Sequence, residues 1–170
     1  LSCGSIDGIT TSSSSSSSRS VMLQSLLISG TKLRGDGLVL VGASVGSVLH
    51  TLALGFNTKI GDWSSLGSFP SLVDLDLSFN YTLTTAAVGI VCDAMPLLQY
   101  LNLERTELTP DVALHLRKLT QLRTLDLRRC LIDDTLGEAV ICMPHLLHLL
   151  LGFTQVTNAL IPCLVYCPGL

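Results

Sequence analysis

Leu122-Arg-Thr-Leu125-Asp-Leu127 follows the pattern LxxLxL, and five more stretches of this 170-residue chain follow the same pattern. Their first leucines are 26, 23, 26, 24 and 24 residues apart, and in one stretch isoleucine takes the third position. A single LxxLxL carries little information, but six copies at a nearly constant interval indicate one structural unit repeated along the chain. The other five stretches cover residues 23–28, 49–54, 72–77, 98–103 and 146–151.

A second repeated position, which we call the turn slot, follows each first leucine by eight residues and holds only asparagine, threonine or cysteine. Such small polar side chains can bond the backbone of a turn that leaves the preceding strand. An apolar residue returns two or three residues later in every copy, which predicts that the chain re-enters the core there. The turn-slot residues are Thr31, Asn57, Asn80, Thr106, Cys130 and Thr154.

The remainder of each repeat is typical of a short helix. Thr109-Pro110-Asp111 combines a capping residue, a proline at the first helical position and an early acid, and apolar residues follow at helical spacing up to Leu119. The second repeat is short, so residues 61–70 are expected to form only a 3₁₀ turn. Equivalent helix caps are predicted at Thr84 or Thr85, Asp133 and Thr157.

Together the repeats predict an α/β solenoid, a horseshoe with a parallel concave β-sheet of about seven short strands and convex helices. This pattern resembles the leucine-rich-repeat family over essentially the whole chain. The finer resemblance is to the cysteine-containing subclass known from F-box leucine-rich proteins. It is carried by Cys167-Pro168-Gly169-Leu170 and Leu131-Ile132-Asp133-Asp134.

The repeat boundaries make residues 1–170 one leucine-rich-repeat domain. A partial repeat over 1–22 includes a serine-rich stretch, 10–20, which is predicted to be a disordered insertion; a phosphorylated regulatory loop is the alternative. Solenoids need polar caps and neither end shows one, so we expect a fragment of a longer solenoid that contacts further repeats or a capping subunit. The full repeats are 23–48, 49–71, 72–97, 98–121, 122–145 and 146–169, and another begins at 170.

The amino-acid composition and net charge argue against several classes of protein. Apolar residues make up 48% and charged residues 14% of the chain, which argues against disorder. The net charge of -3 argues against a nucleic-acid partner, which would require a basic stripe. No apolar run approaches the roughly 20 residues that cross a bilayer, so we expect no membrane partner either.

No catalytic or cofactor-binding motif can be placed on the repeats. The four histidines do not cluster, and no glycine-rich phosphate loop is present, so we expect no enzyme activity, no cofactor and no metal. Asn80-Tyr81-Thr82 is a glycosylation sequon, but Asn80 occupies the turn slot and is interpreted as structural. The cysteines are expected to be reduced and mostly interior, which predicts an intracellular, cytoplasmic protein. They are Cys3, Cys92, Cys130, Cys142, Cys163 and Cys167.

The candidate binding surface consists of side chains that alternate away from the buried leucines. The residue between the second and third leucines, and the residue two positions after the third, are expected to project from the strands. Aromatic residues and arginine are frequent in binding hot spots. The alternative is that the phenylalanines pack beneath their own loops and that Asp76 and Asp126 neutralise the arginines. The predicted partner-binding residues are Phe56, Phe79, Tyr100, Arg105, Arg129, Asp76, Asp126 and Phe153.

Three functions remain open on these grounds. The first is a protein–protein interaction module or scaffold that binds a partner through its concave face within a larger intracellular complex. The second, which the F-box resemblance implies, is the substrate-recognition part of an SCF-type ubiquitin ligase. The third is a regulator of another enzyme, in the manner of ribonuclease inhibitor or the GTPase-activating protein for Ran. Fold alone does not distinguish them.

Overall fold

The second leucine of each LxxLxL stretch lies at the centre of a three-residue β-strand in the computed structural model, which describes residues 23–170. The six strands form one parallel sheet in chain order. The seventh strand and the serine-rich insertion expected in residues 1–22 lie outside the described residues. The strands are β1 (Ser25–Leu27), β2 (Thr51–Ala53), β3 (Asp74–Asp76), β4 (Tyr100–Asn102), β5 (Thr124–Asp126) and β6 (His148–Leu150).

The register of the sheet aligns equivalent residues of all repeats. The four inner second leucines are completely buried, because each is covered by a repeat on both sides. Burying a leucine side chain contributes roughly 1.5–3 kcal/mol, so this leucine column is a main source of stability. The second leucines pair across every strand boundary in the order Leu26, Leu52, Leu75, Leu101, Leu125 and Leu149.

Helical segments lie on the opposite side of the leucine core. The second repeat holds only a 3₁₀ turn, Ser64–Ser68, as its shorter length predicted. In the last three repeats a 3₁₀ turn precedes the α-helix, at Pro110–Val112, Asp134–Leu136 and Asn158–Leu160. The α-helices are α1 (Gly35–Val45), α2 (Thr85–Ala94), α3 (Ala113–Leu116), α4 (Gly137–Val140) and α5 (Ile161–Leu164).

Three of the four predicted helix caps bond the backbone. The Oγ1 of Thr84 accepts from the Ala87 N–H at 3.2 Å, and Asp133 and Thr157 accept from the N–H groups two residues onward. Thr109 differs, because its hydroxyl donates to the carboxylate of Asp111 and makes no side-chain cap bond. Thr109 therefore lies at the start of the helical segment, as predicted, but the prediction that its side chain caps the backbone is wrong.

The turn slot is structural, as its composition predicted. Asn57 and Asn80 are completely buried. The Asn80 Nδ2 donates to the carbonyl oxygen of Leu77 at 3.0 Å and, across the repeat boundary, to that of Leu54 at 3.1 Å. Asn57 makes the same pair of bonds to Leu54 and Ile28. Each asparagine therefore joins two repeats where their strands end.

Threonine and cysteine in the turn slot also bond the backbone. The hydroxyls of Thr106 and Thr154 each donate to the carbonyl oxygen of the third leucine of their own repeat, at 2.7 Å. The Cys130 Sγ lies 3.1 Å from the Leu103 carbonyl oxygen of the preceding repeat, so the cysteine supplies a cross-repeat contact. The slot therefore requires a small hydrogen-bond donor, but not one particular residue type.

The ends of the described stack expose apolar side chains. In the last repeat, Ile161, Val165 and Tyr166 are all exposed. The expectation that further repeats or a capping subunit contact the ends stays a prediction.

None of the helices found between residues 23 and 170 has the length and apolar character needed to cross a bilayer.

We expect Asn80→Leu to lower the free energy of unfolding by about 1–3 kcal/mol, because it leaves the buried Leu77 carbonyl without its side-chain donor and removes one of the two asparagine donors to the Leu54 carbonyl. Urea denaturation followed by circular dichroism measures the change. Asn158→Leu, at an exposed position of a 3₁₀ turn, is the matched control and should shift the midpoint little. An unchanged midpoint for Asn80→Leu would show that the slot is dispensable.

Candidate functional site

Each LxxLxL stretch is followed by one residue in the left-handed backbone conformation. The φ angles of these residues lie between 55° and 66°. Glycine occupies this position in the first repeat, as Gly30, but the other five residues are large. We call these five residues the edge ladder: Phe56, Phe79, Arg105, Arg129 and Phe153.

A hydrogen bond between repeats accompanies the left-handed conformation. The N–H of Phe79 donates to the Glu104 carbonyl oxygen at 2.8 Å, and the N–H of Arg105 donates to that of Arg128 at 2.9 Å. Phe56 and Arg129 make equivalent bonds to the following repeats. The backbone ladder of the sheet thus continues beyond the strands, and the edge-ladder residues stand in line along it.

Three of the turns are shaped by the polar residue that ends the strand. The Oδ1 atoms of Asp76, Asn102 and Asp126 each accept from the backbone N–H two residues onward, at 2.9, 2.9 and 3.0 Å. This side-chain turn starts the bend that leads into the left-handed residue. The aspartates predicted for partner binding therefore have a structural role as well.

The edge ladder lies beyond the strands, which corrects one prediction. Phe79 follows the last residue of β3 by three positions and Arg105 follows that of β4 by three. The side chains were expected to project from the strands themselves. They emerge instead from the turns at the carboxyl ends of the strands, because the polypeptide bends away at the left-handed residue. Gly30, at the equivalent position, was the sequence signal that could have predicted this bend.

Of the three aromatic members, Phe56 and Phe79 are stacked, and Phe56 and Phe153 are exposed. The rings of Phe56 and Phe79 have centroids 4.1 Å apart at 11° to each other, as expected for neighbouring repeats. Phe56 is 54% exposed and Phe153 is 80% exposed, so neither packs beneath its own loop. The two phenylalanines of neighbouring repeats therefore form one flat apolar surface at the sheet edge.

The two arginines of the edge ladder each contact an aromatic ring on the side away from the other. The Arg105 Cζ lies 5.6 Å from the centroid of the Phe79 ring. The Arg129 Cζ lies 4.5 Å from the centroid of the Phe153 ring. The guanidinium groups therefore lean apart, as like charges should.

Arg128, which the predicted site did not include, pairs with Asp126, one of the two aspartates that were expected to neutralise the ladder arginines, and with Glu104. Its Nη2 donates to Asp126 Oδ2 at 2.6 Å and to Glu104 Oε2 at 2.9 Å. The hydrogen bonds that Arg128 donates to Asp126, and next the negative charge of Asp126, raise the pKa of Arg128. Asp126 is only 4% exposed, so it supports the site from beneath and offers little surface to a partner.

A shallow depression of about 170 Å³ lies beside the ladder on the strand face, with Asp74, Asp76 and Tyr100 in its lining. Burial raises the pKa of Tyr100, and the negative charges of Asp76 and Asp126 add to that rise. The phenol therefore stays protonated and can donate a hydrogen bond. Tyr100 and Asp76 are half-buried, so both remain available to a contacting molecule.

The five thiols among residues 23–170 differ in burial. Cys92, Cys130 and Cys167 are buried, whereas Cys142, which was expected inside, is partly exposed like Cys163. Burial raises the pKa of Cys92 to about 12, which suppresses the nucleophilic thiolate. None of these five described cysteines forms a disulfide, and Cys3 lies outside the described residues. Residues 23–170 contain no group of three or more histidine, cysteine or acidic side chains placed to hold a metal ion.

We expect Arg105→Gly to be more stable than Arg105→Ala by about 1 kcal/mol, because both remove the side chain but only alanine retains the left-handed penalty. Urea unfolding of the two variants measures the difference. The same two substitutions at Arg117, where φ is -56°, are the matched control. There glycine should be less stable than alanine by about 0.5–1 kcal/mol. Equal signs at the two positions would contradict the assigned conformation.

We also expect Cys142 and Cys163 to react with iodoacetamide at pH 8 well before Cys92. The reagent attacks thiolates, and the pKa of Cys92 near 12 keeps that group protonated. Peptide mass spectrometry of samples quenched at intervals gives the order of modification. Unfolding in urea serves as the control and should make the three rates similar. Early labelling of Cys92 in the folded chain would contradict its burial.

Solved structures similar to this chain include two internalins of Listeria monocytogenes. Internalin C2 superposes with a TM-score of 0.53 at 14% identity, covering 85% of this chain and 77% of its own. Another internalin, inlF, superposes with a TM-score of 0.51 at 16% identity, covering 79% of this chain. The match spans only 42% of the length of that second internalin. No protein-family model and no curated protein matches the sequence. The chain therefore has the leucine-rich-repeat fold that internalins share.

Proposed function

We propose that the chain is a protein-recognition module of a larger intracellular assembly, and that its contact surface is the edge ladder with the adjoining positions Asp76 and Tyr100. The observation that carries the proposal is the presence of five large residues at positive φ, with most of their side chains exposed. The leucine-rich-repeat fold supports a binding role, since an extended sheet face is a surface such solenoids use for binding.

Folding energy does not explain the residue types on the ladder. A non-glycine residue in the left-handed conformation costs roughly 1–2 kcal/mol, and Gly30 shows that glycine fits the position. Phe153 offsets little of this cost, because its ring remains 80% exposed. Side chains held at such a cost occur at functional sites, so contact with another molecule is the better explanation.

The dimensions and residue types suit a protein partner. Five repeats at about 4.8 Å give a row close to 20 Å long, which is compatible with an interface of about 800 Å² on each partner. Phenylalanine and arginine supply much of the binding energy in interfaces of this size. The ionisable groups nearby shape turns or pair with Arg128, which favours a binding module over an enzyme.

A narrower role as the substrate receptor of an SCF-type ubiquitin ligase rests on the cysteine-containing repeat pattern. Cys130 in the turn slot, in contact with the Leu103 carbonyl oxygen, favours that subclass. The alternative of an enzyme regulator would use the same contact surface. The sequence upstream of the repeats in the full-length protein separates the first role from the second, since a ligase receptor requires an F-box.

We expect Arg105→Ala with Arg129→Ala to weaken capture of the partner by more than about tenfold, as loss of hot-spot contacts does. Both substitutions leave the leucine core unchanged, so the unfolding midpoint of the double variant should change little. Quantitative mass spectrometry of proteins co-purified from cell extract measures capture. A co-purified protein is accepted as a partner only if its capture is weakened in this variant and unchanged in the control variant.

The control is Arg34→Ala with Arg117→Ala, which removes two exposed arginines away from the ladder. It changes the net charge by the same amount. Equal loss in both variants would attribute capture to overall charge. Intact capture with lowered stability in the ladder variant would place the contact surface elsewhere.

A further inference from the structure

We propose that the gap between Arg105 and Arg129 binds the carboxylate of an aspartate or glutamate in an extended segment of a partner protein. An apolar side chain of the same segment would pack against the open face of Phe56 beside Gly30. This inference rests on the proposed function, since it concerns a partner that binds the same edge ladder. It adds that the partner carries an acidic residue and an apolar residue at a defined spacing.

Neither ladder arginine has an ion-pair partner among residues 23–170. The ion pairs of this part of the chain are Lys118 with Asp93 and Arg128 with Glu104 and Asp126. Arg128 therefore pairs with Glu104, next to Arg105 in sequence, and with Asp126, three residues before Arg129. Arg105 and Arg129 are both exposed, which leaves two unneutralised cations on neighbouring repeats of a chain whose net charge is -3.

The orientation of the two guanidinium groups leaves room for an anion. Each group leans onto a ring on its outer side, Arg105 onto Phe79 and Arg129 onto Phe153. A carboxylate between them would contact both cations and would remove their repulsion. Arginine suits this task because its planar guanidinium can donate two parallel hydrogen bonds to a carboxylate.

The apolar contact lies at the other end of the ladder. One face of the Phe56 ring stacks on Phe79, and the other faces the repeat of Gly30, which has no side chain. A Cβ placed on Gly30 would meet no described atom within 4 Å. This leaves a notch beside an exposed ring, which an apolar side chain can fill.

The distance between the two contacts sets the spacing in the ligand. From Gly30 to the middle of the Arg105–Arg129 gap is three and a half repeats, or about 17 Å at the strand spacing of parallel sheets. An extended chain rises about 3.3 Å per residue. The partner segment should therefore carry an apolar residue and an acidic residue about five positions apart.

Single-stranded nucleic acid is the competing ligand, because bases also stack on aromatic rings and phosphates also bind arginine. The ladder has only two cations, however, and the adjoining depression contains Asp74 and Asp76. A polyanion that follows the row would meet these carboxylates. A segment with a single carboxylate and one apolar side chain fits the charges better.

Selection from a phage-displayed library of random 12-residue peptides tests the inference on the full 170-residue chain. We expect enriched peptides with an aspartate or glutamate about five residues from an apolar side chain. A synthetic peptide of that sequence, measured by fluorescence anisotropy, should lose affinity by about tenfold or more with Arg105→Gln plus Arg129→Gln, as expected for a charge-assisted contact. Arg34→Gln with Arg117→Gln should keep the affinity.

The outcomes separate this inference from the proposed function. Peptides that require Phe56 and Phe79 but contain no acidic residue would overturn the carboxylate site and leave the recognition module standing. Peptides insensitive to every ladder substitution, or no enrichment by a chain shown to be folded by circular dichroism, would overturn both. Tighter binding of a fluorescent 12-nucleotide oligothymidylate than of the selected peptide would assign the ladder to nucleic acid instead.

Discussion

The whole architecture depends on one constraint, which is that each repeat can satisfy its backbone and bury its leucines only against the next repeat. The parallel pairing of Leu52 with Leu75 and of Leu75 with Leu101 imposes a constant register. The turn-slot donors and the N–H groups of the left-handed residues extend that bonding past the strands. A change of register would leave buried carbonyl groups unpaired and would move leucines to the surface.

A constant register converts positions in the repeat into columns of side chains, and each column meets a different physical requirement. The leucine column excludes water, and the turn-slot column supplies hydrogen-bond donors to buried carbonyl groups. The edge ladder differs, because the backbone there favours glycine but the chain holds phenylalanine and arginine. This contrast between the backbone conformation and the residue type distinguishes a contact surface from a structural column.

The electrostatics of the site follow from the same stacking. Arg128 reaches across one repeat boundary to Glu104 and back to Asp126 in its own repeat. Both carboxylates therefore pair with Arg128, and among residues 23–170 Arg105 and Arg129 have no acidic partner. Because both of these arginines lie on rings, they are held in place without being neutralised. Arginines held in this way lose less conformational entropy when a partner binds.

The sequence by itself determined the repeat, its register, the parallel sheet, the 3₁₀ turn of the short repeat and the role of Asn80. Each of these follows from the spacing of residue types along the chain, which can be read from the sequence without knowledge of any tertiary contact. It also placed Phe56 beside Phe79, because equivalent positions of adjacent repeats must be neighbours. Only the tertiary structure decided in which direction the side chains of the edge ladder point, that Asp126 is buried, and that the Asp126 carboxylate pairs with Arg128. Those outcomes depend on the left-handed turn and on contacts between side chains of different repeats, whose rotamers no periodicity specifies.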